Sequence, residues 1–155
     1  MTQSISDRLN ELGITLPDAP APAAHYVPYV QTGKLLFISG QVPMVNGAIE
    51  VTGKVGADVS IETAQQQARI CAINILAQIN AATGGDLSQV KQVIKLGGFV
   101  ACADDFTNQP EVINGASDLM ADLFGSAGQH ARFAVGTNAL PRGVCVEIDA
   151  LVELH

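Results

Sequence analysis

Residues 131–153 read ARFAVGTNALPRGVCVEIDALVE, and the fold turns on this stretch. Two strand-like runs, Ala131–Asn138 and Val144–Glu153, flank Leu140-Pro141-Arg142-Gly143. In the second run Val144, Val146, Ile148, Ala150 and Val152 fall on one face, and Cys145, Glu147, Asp149 and Leu151 on the other. A period of two is that of a strand, and an unbroken apolar row needs a layer packed over it. The turn residues predict a hairpin in which Ala139 faces Val144. That register joins Phe133, Val135 and Thr137 to the apolar row and leaves Arg132, Ala134, Gly136 and Asn138 beside Glu147 and Asp149. Arg132 and Glu147 then stand about four residues apart, roughly 13 Å at ~3.3 Å per residue, too far for a bridge within one chain. A solvated face would be rich in Lys, Glu and Thr. Small apolar residues among isolated charges instead predict a face covered by another subunit.

The covering layer is visible upstream. Ile61, Ala64, Ala68, Cys71, Ile75, Ile79 and Ala82 recur at steps of three and four, one face of an amphipathic helix. Ser60 is its expected N-cap, Glu62 favours the dipole in its first turn, and Gly84-Gly85 ends it. Glu111–Phe124 is expected as a second helix. Leu35–Val42 reads as a strand, followed by the turn Asn46-Gly47 with Ile49–Val51 returning. Within the strand region Val90–Cys102, Gly97-Gly98 predicts a bulge or a close backbone approach. Ahead of these, Ser6 is expected to cap a short helix over Asp7–Leu12. Pro17, Pro20, Pro22 and Pro28 mark an extended arm, with the globular domain over 26–155. The pattern is β-β-α-β-α-β-β, an α+β two-layer arrangement with two helices on one face of a mixed sheet.

Composition bounds the function. The chain has 155 residues, 48% hydrophobic and 15% charged, which excludes disorder and fits one domain. Its formal net charge of −7 counts against nonspecific nucleic-acid binding, which needs a positive surface. The N-terminal residues lack a secretory pattern and no run spans a membrane, so a cytoplasmic location is expected. Cys71, Cys102 and Cys145 are expected as buried free thiols. His25, His130 and His155 are too scattered for a metal set, and no triad or phosphate-binding loop is present.

Four segments together resemble one family. Tyr29-Val30-Gln31 and Gly33–Pro43 (GKLLFISGQVP) are similar to the opening strands and SGQ turn of the Rid (reactive intermediate deaminase) or YjgF-like family. Ala131-Arg132, Leu140-Pro141 and Val146–Ala150 (VEIDA) resemble its C-terminal signature. The likeness covers residues 26–155, and the arm and PEVINGASDLM point to the YjgF/chorismate-mutase-like putative endoribonuclease branch. It implies a chorismate-mutase-like fold, a homotrimer with clefts between subunits, and no metal or organic cofactor. The activity implied is hydrolysis of 2-aminoacrylate and related 2-imino acids to 2-keto acids and ammonia.

The residue roles follow from the same resemblance. Arg132 matches the arginine that binds the substrate carboxylate, a task suited to two parallel charge-assisted hydrogen bonds. Glu147 matches the site glutamate and can orient water at the imine carbon. Asp149 is a weaker candidate on the same face. Tyr29 matches a tyrosine beside the substrate and Asn114 an asparagine near the cleft, while Ser39 and Gly40 are expected to shape the pocket wall. Ala134 stands where the family commonly has cysteine, which puts the substrate range in question. The alternatives are a carboxylate-binding regulatory trimer without turnover, an endoribonuclease of the translation-inhibitor type, and chorismate mutase chemistry by fold analogy. The lack of a basic stripe or a histidine pair counts against the ribonuclease.

Overall fold

Ser4, not Ser6, begins the first helix. Its hydroxyl accepts from the backbone N–H of Asp7 at 3.0 Å, and helix α1 runs over Ile5–Glu11. Ile5, Leu9 and Leu12, spaced four and three apart, turn one face of α1 onto the core. The structure, a computed structural model, describes residues 2–21 and 24–155, so Pro22 of the arm lies outside the described residues. Beyond α1 the arm continues against the body, burying Ile14 and packing Leu16.

Strand β1 (Tyr29–Thr32) turns at Gly33 into β2 (Leu35–Gln41). The alternation of apolar residues does not mark β1; only the family resemblance does. Pro43 then interrupts the ladder because it has no N–H to give. The Asn46-Gly47 turn therefore closes a separate two-stranded ribbon of β3 (Met44–Val45) and β4 (Ala48–Ile49) rather than returning beside β2. Asn46 and Gly47 have φ of 50° and 78°, the paired left-handed conformations that a two-residue hairpin needs.

Helix α2 (Ile61–Ala82) is capped as expected, with the Ser60 hydroxyl accepting from Thr63 N–H. Strand β5 spans Val90–Ala101, helix α3 spans Gln109–Phe124, and strands β6 (Ala131–Thr137) and β7 (Val146–Leu154) follow. The five-stranded sheet has the order β1-β2-β7-β5-β6. β6 runs parallel to β5, and all other pairs are antiparallel.

The predicted hairpin between the last two strands is therefore absent. A β-α-β connection through α3 lays β6 parallel beside β5, as crossovers do, and β7 then enters the centre between β2 and β5. The apolar row of β7 faces the helices as expected, with Val146, Ile148, Ala150 and Val152 all buried. The faces of β6 are the reverse of the prediction. Arg132 pairs with Leu96 and Ala134 with Gly98 on the helix side, whereas Val135 joins Phe99 and Glu147 on the open side.

Both helices pack on one face of the sheet, α2 chiefly over β2 and β7, α3 over β5 and β6. Gly97 and Gly98 serve close approach rather than a bulge. A Cβ on Gly98 would meet Ile113 of α3, and one on Gly97 would meet Asp149 and Phe133. The ladder irregularities of β5 lie earlier, between Val90 and Gln92 and between Val93 and Lys95. The other face of the sheet is uncovered in the single chain, with Val30, Phe37, Phe99 and Val135 each 41–54% exposed. Among the described residues no helix is long and apolar enough to cross a membrane.

Candidate functional site

All the sequence-predicted site residues but Tyr29 fall into two groups on opposite faces of the sheet. The first surrounds Arg132 at the edge strand β6. Its Nη1 donates to Ser117 Oγ at 3.0 Å and its Nη2 to the Pro110 carbonyl at 3.4 Å. Pro110, Asn114 and Ser117 are spaced four and three apart on α3, so Arg132 bonds to both ends of the stripe that carries Asn114. A guanidinium has five donors, and three make no bond among the described residues.

Ser117 is itself held. His130 Nδ1 lies 2.6 Å from the Gly128 carbonyl, and its Nε2 lies 2.9 Å from Ser117 Oγ. A carbonyl only accepts, so Nδ1 donates to Gly128, and in the tautomer with its single proton there Nε2 accepts from the hydroxyl. The hydroxyl oxygen is then free to accept from Arg132. Gly128, His130, Ser117 and Arg132 form one directed chain that fixes the guanidinium. Ala134 packs against the core two residues further along β6, with no polar contact.

The second group surrounds Glu147 on the open side. A pocket of about 190 Å³ is lined by Glu147, Gly40 and Arg142, with Pro20, Tyr26 and Pro28 of the arm. Gly40 lets the carboxylate lie against the backbone, because a Cβ at that position would be 2.5 Å from Glu147 Oε1 and would push the side chain aside. Ser39 supports the wall rather than facing the ligand. Its N–H donates to the Pro28 carbonyl at 2.9 Å and its hydroxyl to the Val27 carbonyl at 2.8 Å. Burial holds the Glu147 carboxyl above its ordinary range, and neighbouring Asp149 adds to the effect. A carboxyl shifted upward in a pocket is suited to exchanging a proton with bound water. Arg142 adopts φ 58°, a conformation costing an arginine roughly 1 kcal/mol, and makes no ion pair or side-chain hydrogen bond among the described residues.

Tyr29 joins neither group within the chain. It pairs with Ile38 on the helix side and packs against the core, and Tyr26 is the tyrosine that lines the pocket. Asp149 is exposed on the open face beside Glu147. Cys71, Cys102 and Cys145 are free and buried. Burial pushes the Cys145 thiol up to about 11 and Cys71 well above its usual value, which disfavours nucleophilic thiolates. Among the described residues no three His, Cys, Asp or Glu side chains are grouped to hold a metal.

The family model "YjgF/chorismate_mutase-like, putative endoribonuclease" matches residues 6–154. The chain belongs to this family. The match takes in most of α1 and the arm as well as the body. Protein TCP17 of Trypanosoma cruzi is 47% identical over 97% of this chain and 94% of its own length. The crystal structure of Atu1372, a protein of unknown function from Agrobacterium tumefaciens, is 54% identical with a TM-score of 0.92, covering 97% of this chain and 92% of that one. The "putative reactive intermediate deaminase TdcF" of Escherichia coli is 33% identical over 86% of this chain and 89% of its own. A crystal structure of TdcF with bound serine superposes at a TM-score of 0.64, with 27% identity over 88% of this chain and 94% of that one. The family thus includes proteins named as deaminases and as endoribonucleases, and the chain shares the α+β fold of both.

Sequence reasoning missed Ser117, Tyr26 and Arg142. A signal for Ser117 exists only in its helical spacing from Asn114; Arg142 lies within the Leu140–Gly143 turn, and Tyr26 carries no signal of its own.

Proposed function

We propose that this protein hydrolyses reactive 2-imino and enamino acids, such as 2-aminoacrylate, to 2-keto acids and ammonia. It does so as a homotrimer, with Arg132 of one protomer meeting the Glu147 pocket of the next. The observation that carries this reading is the posture of Arg132, immobilised by Ser117 and Pro110 with three donors unspent. A guanidinium fixed in this way grips a carboxylate with little further loss of freedom. The exposed apolar sheet face supports assembly, because exposed apolar clusters mark interaction surfaces.

Glu147 takes a proton from water as the oxygen adds to the carbon of the N-protonated imine, giving a neutral tetrahedral carbinolamine. Glu147 returns that proton to nitrogen, the C–N bond breaks with its electron pair leaving on ammonia, and the hydroxyl proton passes back to the Glu147 carboxylate as the carbonyl forms. An enamine substrate first gains a proton at its terminal carbon to become the imine. Asn114, on α3 between the two residues that Arg132 bonds, would orient the substrate.

The test generates 2-aminoacrylate or 2-iminobutyrate in situ with a dehydratase and follows its decay. Added protein is expected to speed the decay, and Arg132→Ala to lower kcat/KM at least 100-fold, about 2.7 kcal/mol of transition-state stabilisation. Unchanged decay together with binding of a 2-keto acid would replace this reading with a carboxylate-binding trimer. That alternative draws on the separation of Arg132 from Glu147 within one chain.

A further inference from the structure

The pocket beside Glu147 is walled on its apolar side by two segments far apart in sequence. One is the arm, through Pro20, Tyr26 and Pro28, and the other is the link after β2, through Val42 and Met44. Both segments are tied to α2 by side chains that would otherwise be poor choices for a core. Gln78 is fully buried, and its Nε2 donates to the Pro20 carbonyl at 2.8 Å. Asn74, one helical turn earlier and 2% exposed, donates through Nδ2 to the carbonyls of both Val42 and Met44 at 3.0 Å. Burying a carboxamide costs free energy unless its groups are bonded; the Nδ2 of Asn74 and the Nε2 of Gln78 offset that cost through the pocket walls, while Gln78 Oε1 has no partner among the described residues. The far end of the arm is fixed by the two bonds from Ser39 to Val27 and Pro28. The pocket is therefore formed in advance, with an apolar wall and, in Arg142 and Glu147, a polar side.

Its size is informative. An enclosed apolar cavity of about 150 Å³ accepts a benzene ring, and this open pocket, its polar Glu147 and Arg142 side included, holds about 190 Å³. The methyl or ethyl group of a three- or four-carbon imino acid would leave most of that wall without contact.

We infer that the arm and the β2–β3 link form a subsite for a branched or ring-sized apolar substituent, so the preferred acid is a 2-imino acid bearing such a side chain. Tyr26 is the specificity-determining residue of this subsite. The inference rests on the deaminase reading for the chemistry of the acid end, and on the pocket alone for the substituent.

Binding of unreactive 2-keto acids tests it without turnover. Isothermal titration of the full chain with pyruvate, 4-methyl-2-oxopentanoate and phenylpyruvate is expected to give at least tenfold tighter binding of the two larger acids. Tyr26 is 52% exposed, so Tyr26→Ser leaves the fold intact. This variant is expected to cut the preference to threefold or less by weakening the two larger acids more than pyruvate. Equal affinity for the three acids, no binding of any, or equal weakening of all three by Tyr26→Ser overturns the subsite. The same acids separate the two readings. Size-dependent binding with no effect on imine decay removes the deaminase and leaves the subsite, and imine decay accelerated regardless of side chain does the reverse.

Discussion

Glu147 sits where its charge is resisted, and the consequence can be measured apart from catalysis. Its carboxyl is raised by burial and by Asp149, so the folded chain holds this proton more tightly than the unfolded chain. Below the ordinary carboxylate range both states are protonated and the residue contributes no difference. As pH rises through the folded value, the folded state must carry an unfavourable charge and loses relative stability. Glu147→Gln removes that burden while keeping the shape. The variant is expected to have a higher urea midpoint than the parent at pH 8, with the gap closing toward pH 4. A lower midpoint at pH 8 would mean that the carboxylate makes stabilising contacts. At this scale Arg132, Glu147 and Gly40 could be read as candidates because each stands in a motif of its own. Ser117 has only its helical spacing from Asn114 to mark it, because its role depends on a strand 15 residues away being laid beside α3.

Elements were legible in proportion to how local their causes are. The face of α2, the Ser60 cap, the Asn46-Gly47 turn and the alternation of β7 follow from neighbours a few residues apart, and each stands as expected. Strand partners are set by packing between distant segments, and there the reading failed. A two-face alternation in β6 and a Pro-Arg-Gly turn fit a hairpin as well as they fit a strand entering the sheet elsewhere. The crossover through α3 decides between them, and it inverted the faces of β6. Gly115 carries the packing of that crossover helix on α2, since a Cβ there would collide with the Gln65 backbone carbonyl. In an exposed helix, Gly→Ala stabilises by about 0.5–1 kcal/mol. Here backbone meets backbone and no side chain can swing aside, so Gly115→Ala is expected to destabilise by at least about 2 kcal/mol in urea unfolding. A neutral or stabilising result would show that α2 and α3 can separate without cost.

At the scale of the molecule, the two half-sites impose a geometry on function. Arg132 faces the helix layer from edge strand β6, and Glu147 faces the open side from central strand β7, with β5 between them. One chain cannot present both to a single small acid. The uncovered row Val30, Phe37 and Leu151, in register across β1, β2 and β7, is apolar enough to seat a second copy. If the site is completed between copies, each cleft in a cyclic trimer takes its arginine from one protomer and its glutamate from the next. Two inactive variants should then repair each other. Arg132→Ala chains still supply Glu147, and Glu147→Gln chains still supply Arg132. Refolded together from urea in equal amounts, they form mixed trimers in which an intact cleft needs a Glu147→Gln chain on one side and an Arg132→Ala chain on the other. Random assembly makes about one cleft in four intact, so imine hydrolysis is expected to recover to roughly a quarter of the parent's rate. Either variant refolded alone should stay inactive. A mixture as inactive as its components, with the mass still three times the 16.1 kDa of the chain, would place the arginine and the glutamate in separate functions.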